Sequence, residues 1–278
     1  LRIYLFCKFI INIINFYLKN LIVKMHLPIQ NQTVFISGSG RGLGSEIAKS
    51  FHREGARVII NYRKSKKNAE ELADEFGKNA FLLKGDIRNK DEVFNMQREL
   101  NNNQISITTI IHNAINDYSF NGEKRKKIDE ISWVDFQGQI ETSQKGLLNL
   151  LQVFTPSMRE NQFGRVITIG TNLFQNPVVP YHDYTASKGG LLSLTRTAAI
   201  DLGPDNITVN MVSGGLLKIT DASKATPDSV FDYIAGITPL RKITTTKDFA
   251  DAVLFFASPW ARAVTGQNLI VDGGLVLN

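Results

Sequence analysis

Cysteine and histidine are scarce in this sequence. Among its 278 residues there are one cysteine, Cys7, and four histidines. A single cysteine excludes an internal disulfide framework and is typical of a reducing compartment, so we expect a cytoplasmic protein. No group of Cys and His residues has the spacing of a metal site, and no metal is predicted. The length is sufficient for one α/β domain with a substantial core.

Acidic residues are missing from the first 24 positions. This segment is rich in Ile, Phe, Leu and Asn, and its four cations are Arg2, Lys8, Lys19 and Lys24. Without these four, the 32 Lys and Arg of the chain fall to 28 against 26 Asp and Glu, a balance of about +2. The basic balance therefore belongs mostly to this segment, and it does not indicate a nucleic-acid partner.

Residues 1–24 also lack an uninterrupted apolar run. Lys8 and Lys19 break the segment well short of the roughly 20 residues that a membrane span needs, and no small-residue cleavage site marks a signal peptide. An amphipathic helix on a membrane surface remains an alternative. Because the chain begins with Leu1 and Met25 precedes a conventional domain start, we favour an upstream extension outside the fold, followed by a domain over residues 25–278.

Short β-branched runs alternate with helical periodicity from residue 33 onward. Helices are predicted from a glycine turn to about residue 54 and over residues 66–76. The predicted strands cover residues 33–36, 57–61, 80–83, 109–112, 165–169, 208–212 and 268–271. This alternation predicts an α/β fold: a single-domain, Rossmann-like, doubly wound parallel sheet with helices on both faces. Residues 117–128 and 220–237 are the predicted irregular regions, and the second is a natural substrate lid at the carboxyl edge of the sheet.

The glycine turn joins the first predicted strand to the first helix. Residues 37–44 read S-G-S-G-R-G-L-G, so Leu43 breaks the common G-x-G-x-x-G dinucleotide fingerprint. The pattern G-x-x-x-G-x-G fits instead, with Gly38, Gly42 and Gly44. Glycines permit a tight turn and a close backbone approach, which leaves the amides of the helix N-terminus aimed at a pyrophosphate.

The end of the second predicted strand lacks an acid. An NAD enzyme usually offers Asp or Glu there to the ribose hydroxyls, whereas this chain has Asn61, Tyr62 and Arg63. Arg63, together with Arg41 from the glycine turn, could hold a 2′-phosphate through charge-assisted hydrogen bonds. NADP(H) is therefore favoured over NAD(H), although either arginine could be an ordinary solvated side chain.

A tyrosine and a lysine stand four residues apart in the segment Y-T-A-S-K, which starts at Tyr184. In a helix, the side chains of Tyr184 and Lys188 leave the same face about one turn apart. An ammonium beside a tyrosine favours the phenolate, so we expect the pKa of Tyr184 to lie below its usual value of about 10. Such a phenol can protonate a carbonyl oxygen near neutral pH. A half-buried aromatic and a solvated charge would show the same spacing, so the other motifs must decide.

Together these motifs resemble the short-chain dehydrogenase/reductase family over about residues 28–278. The glycine turn is similar to T-G-x-x-x-G-x-G, with Ser37 in place of Thr, and Tyr184 and Lys188 match Y-x-x-x-K. Asp86 matches the acid that contacts adenine, and H-N-A-I at 112–115 stands where the family has N-N-A-G. T-G-Q at 265–267 and V-D-G-G at 271–274 look like the ending of the bacterial β-ketoacyl-acyl-carrier-protein reductase branch.

The resemblance implies a nicotinamide site and a catalytic set. The implied cofactor-binding residues are Gly38, Arg41, Gly42, Leu43, Gly44, Arg63, Asp86, Ile87, Asn113, Ala114, Tyr184, Lys188 and Gly215. The implied catalytic residues are Tyr184, Lys188, Thr171 and Ser143. Thr171 replaces the usual Ser, and Ser143 replaces an Asn that anchors a relay water. Ile115 and Gly214 stand where the family has Gly and Pro.

The implied activity is an NADPH-dependent reduction of a carbonyl to a hydroxyl by hydride transfer, with Tyr184 as the proton donor. A 3-oxoacyl thioester on acyl-carrier protein, as in fatty acid biosynthesis, is one candidate substrate. The four departures keep a different class open, a catalytically weak NADP(H)-binding sensor or partner subunit. A homotetramer or homodimer is implied, with the apolar helices at 147–154 and 191–199 either between subunits or in the core. No membrane partner is expected unless the N-terminal extension is part of the protein.

Overall fold

The computed structural model describes residues 27–277, except residues 117, 119, 121–124, 219 and 221. The extension predicted over residues 1–24 lies outside the described residues, as does part of the region predicted to be irregular at 117–128. Among the residues that are described, no helix has the length and apolar character that crossing a membrane requires.

A parallel seven-stranded sheet forms the centre of the described chain, in the order β3-β2-β1-β4-β5-β6-β7. Its strands are β1 Thr33–Ile36, β2 Arg57–Tyr62, β3 Ala80–Lys84, β4 Thr109–His112, β5 Gly164–Thr171, β6 Ile207–Gly214 and β7 Asn268–Val271. All seven predicted strands are confirmed, with β5 and β6 longer than predicted. The order reverses between β1 and β4, and open α/β sheets bind ligands at the carboxyl edge beside such a reversal.

Helices cover both faces of the sheet, as the alternating pattern predicted. They are α1 Gly42–Arg53, α2 Lys66–Phe76, α3 Lys90–Asn102, α4 Trp133–Ile140, α5 Gly146–Asn161, α6 His182–Leu202, α7 Asp228–Ile237 and α8 Thr246–Ala257. One face buries Phe51, Leu72 and Val253 from α1, α2 and α8. The other buries Leu150 and Leu191 from α5 and α6. Because helices cover both faces of the sheet, the side chains on both sides are buried, and the strands are continuous apolar runs in the sequence.

The apolar helices at 147–154 and 191–199 contribute mainly to this core. Leu147, Leu150 and Leu191 are fully buried within the chain, whereas Leu148 is 44% exposed. Most of the apolar residues that made these helices candidates for subunit contacts are therefore satisfied inside one copy of the chain.

The region 220–237 is less irregular than predicted. Its second half forms α7, Asp228–Ile237, which buries Phe231. Pro227 precedes the helix with φ of −62°, a value that is pre-organised for a helix start. The prediction overlooked this start signal because the surrounding residues, rich in Thr, Ser and Asp, are typical of loops.

Candidate active site

The glycine turn lies between the end of β1 and the start of α1 and leaves an open space in front of the helix. Gly38 and Gly42 have φ of +65° and +57°, a conformation that favours glycine. A Cβ added at Gly42 would meet no atom within 4 Å. A Cβ at Gly44 would instead collide with the carbonyl of Gly38 and the side-chain amide of Asn113. The turn therefore combines an open backbone surface with a tightly packed base, which fits a pyrophosphate at a helix N-terminus.

Ser37 ties the glycine turn to the end of β4. Its hydroxyl oxygen accepts hydrogen bonds from the backbone N–H groups of Asn113 and Ala114, both at 3.0 Å. The side chain of Asn113 donates in return to the carbonyl of Ser37 at 3.0 Å and to that of Gly38 at 3.3 Å. The hydroxyl of Ser37 thus holds the two strands on either side of the reversal together.

Asn61 ties the turn to β3 in a role that the sequence did not reveal. Its Oδ1 accepts from the backbone N–H of Gly38 at 3.3 Å, and its Nδ2 donates to the carbonyl of Gly85 at 3.1 Å. Asn61 is 3% exposed. The absence of an acid at this position indicated the cofactor, but the side chain of Asn61 is buried and links the glycine turn to the end of β3.

Asp86 follows β3 and is held by two arginines. The Arg88 guanidinium contacts both carboxylate oxygens, with Nη2 donating to Oδ2 at 2.6 Å, and Arg63 Nη1 donates to Oδ2 at 3.4 Å. Burial acts to raise the pKa of Asp86, but the hydrogen bonds from Arg88 and the charge of Arg63 hold it at about 2. Asp86 is therefore ionised at neutral pH. Arg88 was not among the predicted site residues, although its spacing of two residues from Asp86 suits such a pair.

Tyr184 and Lys188 lie on α6, and both are buried, at 7% and 2% exposure. Lys188 Nζ donates to the carbonyl of Ile169 in β5 at 2.6 Å and lies 5.8 Å from the centre of the Tyr184 ring. Burial raises the pKa of Tyr184 to about 12, against a lowering hydrogen bond from Thr171. The expected lowering by Lys188 was wrong because burial dominates the pKa of the phenol. Burial also lowers the pKa of Lys188 to about 8.

Thr171 ends β5 beside the phenol. Its side chain is 4% exposed, is hydrogen-bonded with Tyr184, and accepts from the backbone N–H of Leu173 at 3.3 Å. Two hydroxyl groups, from a strand end and from a helix, therefore face the same point at the carboxyl edge of the sheet. A carbonyl oxygen placed there could receive a hydrogen bond from each.

Ser143 lies in a π-helical turn, Glu141–Lys145, between α4 and α5. Its Oγ donates to the carbonyl of Gln139 at 2.5 Å, and its own carbonyl accepts from Nε2 of His112 at 2.8 Å. Inserted π turns recur at functional sites. The contact with His112 was not foreseen, because residues 112 and 143 are 31 positions apart.

An aromatic cluster that the sequence did not predict surrounds Tyr184. Tyr118 stacks on its ring at 5.1 Å, and Phe120 meets it edge-on at 5.4 Å. The backbone N–H of Phe120 donates to the carbonyl of Ala222 at 2.9 Å, which links this cluster to the predicted lid. The spacing of two between Tyr118 and Phe120 was the only available signal, and it lies in a segment without clear periodicity.

The residues that follow β7 border the site beside β6. Asp272 accepts from the side chain of Asn172 at 2.9 Å and from the backbone N–H of Gly274 at 3.0 Å. A Cβ at Gly215 would lie 3.0 Å from the amide of Asn172, and one at Gly214 would lie 2.8 Å from the ring of Phe249. The ring of Phe249 thus explains why a residue without a side chain stands at position 214.

The remaining predicted residues lie along the same edge. Leu43 packs against the core beneath the turn, and Ile87 is buried against α5. Ile115 is 40% exposed just beyond β4.

A cleft of about 460 Å³ adjoins the glycine turn and is lined by Gly40, Arg41, Gly42, Ser45, Lys49, Asn68, Glu71, Leu72, Glu75, Thr220 and Lys224. The position of Arg41 at this cleft fits the predicted 2′-phosphate contact.

Known proteins resemble the chain along nearly its whole described length. A family model described as enoyl-(acyl carrier protein) reductase matches residues 38–276. The chain is 30% identical over 250 residues to 3-oxoacyl-(acyl-carrier-protein) reductase FabG of Staphylococcus epidermidis, covering 89% of this chain and 100% of that protein. It is also 30% identical over 254 residues to 7alpha-hydroxysteroid dehydrogenase of Escherichia coli, covering 90% and 96%.

A solved structure shares both the fold and a measurable sequence identity. The crystal structure of a gluconate 5-dehydrogenase from Burkholderia cenocepacia, in complex with NADP and tartrate, superposes with a TM-score of 0.80 at 25% identity. The match covers 91% of this chain and 97% of that one.

Proposed function

The chain belongs to the short-chain dehydrogenase/reductase family, and we propose that it reduces a carbonyl substrate with NADPH. Members of this family are oxidoreductases that interconvert a hydroxyl and a carbonyl with a nicotinamide cofactor. The observation that carries the proposal is the convergence of Tyr184, Thr171 and Lys188 at the sheet edge beside an open glycine turn.

A bound cofactor would supply a hydride, and the protein would supply position, charge and a proton. The carbonyl carbon would gain the hydride with its electron pair. The carbonyl oxygen, as its bond to carbon becomes single, would take the proton of Tyr184. The raised pKa of the buried phenol, about 12, keeps that proton in place at neutral pH. Thr171 donates to the same oxygen and stabilises its developing charge.

Lys188 restores the proton of Tyr184. Its ammonium lies beside the phenol ring and is anchored on Ile169, and its pKa of about 8 allows it to exchange a proton close to neutral pH. The resemblance adds that Lys188 binds the nicotinamide ribose and that a water near Ser143 connects Lys188 to solvent. We retain both roles as part of the proposal.

The proposed cofactor is NADP(H). The glycine turn would hold the pyrophosphate, and Asp86 with Ile87 would contact the adenine. Arg41 and Arg63 would hold the 2′-phosphate, since Arg41 lines the cleft beside the glycine turn and Arg63 directly follows β2. The NADP complex of the gluconate 5-dehydrogenase supports this choice as an analogy. The end of β2 adds support, because Arg63 stands there and no acid does.

The proposed substrate is a 3-oxoacyl thioester carried by acyl-carrier protein. The proposed enzyme is a homodimer or homotetramer in the cytoplasm. The name and full-length match of the Staphylococcus epidermidis reductase support it. The names of the other similar proteins refer to a steroid and to gluconate, so the substrate panel must include a hydroxysteroid and a sugar acid.

NADPH consumption tests the proposal directly. The purified chain is mixed with NADPH or NADH and with a short 3-oxoacyl thioester, simple ketones, an oxidised steroid or a keto sugar acid. We expect turnover with the thioester and preference for NADPH. Tight NADPH binding without turnover across the whole panel would instead identify a sensor or a partner subunit. Size-exclusion chromatography with light scattering gives the oligomeric state.

A further inference from the structure

Two residues that depart from the family's pattern contact each other in the core. His112, at the end of β4, donates from Nε2 to the carbonyl of Ser143 at 2.8 Å. A carbonyl oxygen can only accept, so Nε2 carries the proton of this ring. Nδ1 is therefore an unprotonated acceptor in the neutral imidazole.

The acceptor Nδ1 is buried and unsatisfied. His112 is 1% exposed, and its Nδ1 has no hydrogen-bond partner within the described part of the chain. Gly146 makes room for the ring, since a Cβ there would lie 3.3 Å from Cε1 of His112. A buried polar atom without a partner costs free energy, and in native proteins it commonly marks a bound water or a functional role.

The charged group that acts on His112 is Lys188 of α6. Burial, together with the charge of Lys188, lowers the pKa of His112 to about 3, and the hydrogen bond to Ser143 opposes this only in part. The imidazole therefore stays neutral throughout the neutral pH range. The ring can accept a hydrogen bond at Nδ1, but it does not take up a proton.

Ser143 has no hydroxyl proton left to donate to a relay water. That proton goes to the carbonyl of Gln139, and the carbonyl of Ser143 itself accepts from His112. The Nδ1 atom of His112 belongs to the ring that contacts Ser143, and it is a buried acceptor with no partner in the described chain.

We infer that His112 is a positioning residue of the proton relay: Nε2–H fixes the π turn at Ser143, and Nδ1 holds the water that returns protons to Lys188. The inference rests on the proposed function. In each cycle Tyr184 gives its proton to the substrate oxygen and regains one from Lys188. The neutral amine then takes a proton from the water, which solvent replenishes. His112 gains and loses no proton.

Two substitutions separate this role from simple packing. His112→Asn keeps one donor and one acceptor in the ring's place, whereas His112→Leu fills the space without either. We expect His112→Asn to keep kcat within a few-fold of wild type. For His112→Leu we expect about a tenfold lower kcat, the equivalent of one lost hydrogen bond, with KM unchanged. Added imidazole buffer, as a proton carrier, restores kcat in His112→Leu but has no effect on wild type.

Nitrogen-15 NMR of the imidazole gives a readout that does not need turnover. In the wild-type protein at pH 7 we expect a neutral ring with the proton on Nε2 and a hydrogen-bonded Nδ1, with or without NADPH. An Nδ1 without a hydrogen bond, a proton on Nδ1, or a charged ring would overturn the inference. So would an equal kcat in His112→Leu, or a loss that imidazole buffer leaves unchanged. If wild type turns over no substrate, the proposed function fails, and the NMR result still decides the hydrogen bond.

Discussion

The ammonium of Lys188 donates a 2.6 Å hydrogen bond to the carbonyl of Ile169, and both groups are buried under the catalytic edge of the sheet. Among the described residues no carboxylate acts on this ammonium, and burial alone lowers its pKa to about 8. A buried charge without an opposite charge destabilises a fold. Stability therefore does not explain the position of Lys188, which fits its proposed role at the site.

Replacing Lys188 by Met is expected to stabilise the protein while abolishing turnover. The pKa of Lys188 is about 8 when folded and 10.5 as its ordinary value. Below pH 8 both states carry the proton, so the folded state bears the full cost of burial. Lys188→Met should raise the free energy of unfolding at pH 7 by about 2 kcal/mol, after allowance for the lost hydrogen bond.

The pH dependence of this gain identifies its cause. Between pH 8 and 10.5 the unfolded chain binds more protons at this site, so wild-type stability rises and the advantage of the variant shrinks. Urea unfolding at pH 7 and pH 10 measures the difference. Lys67→Met, at a lysine side chain that is 89% exposed, is the control and should change little. A gain for Lys188→Met that is the same at both pH values would contradict the assigned cause.

Substitutions in the glycine turn distinguish an effect on cofactor affinity from an effect on folding stability. Gly42→Ala places a methyl group in the open space before α1, so NADPH affinity should fall at least about tenfold. Its cost in stability should be only about 1–2 kcal/mol, that of a positive φ. Gly77→Ala is a matched control, because Gly77 has the same φ of +57° and equally open surroundings outside the site.

Gly44→Ala is expected to act mainly on folding. Its Cβ meets backbone and a buried amide at the base of the turn, and such overpacking typically costs about 1–3 kcal/mol. Thermal unfolding and NADPH titration of the Gly42, Gly44 and Gly77 variants compare the two effects. Equal losses of NADPH affinity in the Gly42 and Gly77 variants would show that the turn does not hold the cofactor.

Arg41 is expected to select NADPH over NADH. Arg41→Ala removes a charge beside the proposed 2′-phosphate, so NADPH affinity should fall about tenfold or more while NADH affinity changes little. Arg53→Ala, at the far end of the same helix, is the control and leaves both affinities unchanged. Isothermal titration with the two cofactors measures this. A parallel loss of both affinities would place Arg41 elsewhere in the site or assign it a structural role.

The sheet was predictable because its signals are local. Each predicted strand lies where the structure has one, and α2 spans the predicted residues 66–76. Tyr184 and Lys188 both lie in α6, which meets the condition under which their spacing places them on one face. The strands of a parallel sheet that is buried on both faces are continuous apolar runs. Such runs can be recognised in the sequence without knowledge of distant contacts.

The chemistry of the site was less predictable because it depends on burial and on distant contacts. A spacing of four showed that Lys188 could stand beside Tyr184, but burial, which decides the pKa of the phenol, depends on packing from other elements. The contact between His112 and Ser143 joins a strand end to a helix 31 residues away. No pattern in a single sequence reports such a pairing.

Tyr184→Phe tests the central claim most directly, since it removes one oxygen atom and leaves the ring in its aromatic cluster. Tyr181→Phe, which alters a neighbouring phenol of that cluster, is the control. For Tyr184→Phe we expect kcat to fall by about 10²- to 10⁴-fold, the usual contribution of a positioned acid, with NADPH affinity nearly intact. Tyr181→Phe should keep kcat within a few-fold. Turnover by Tyr184→Phe equal to that of wild type, at equal NADPH affinity, would remove Tyr184 from the mechanism and contradict the account.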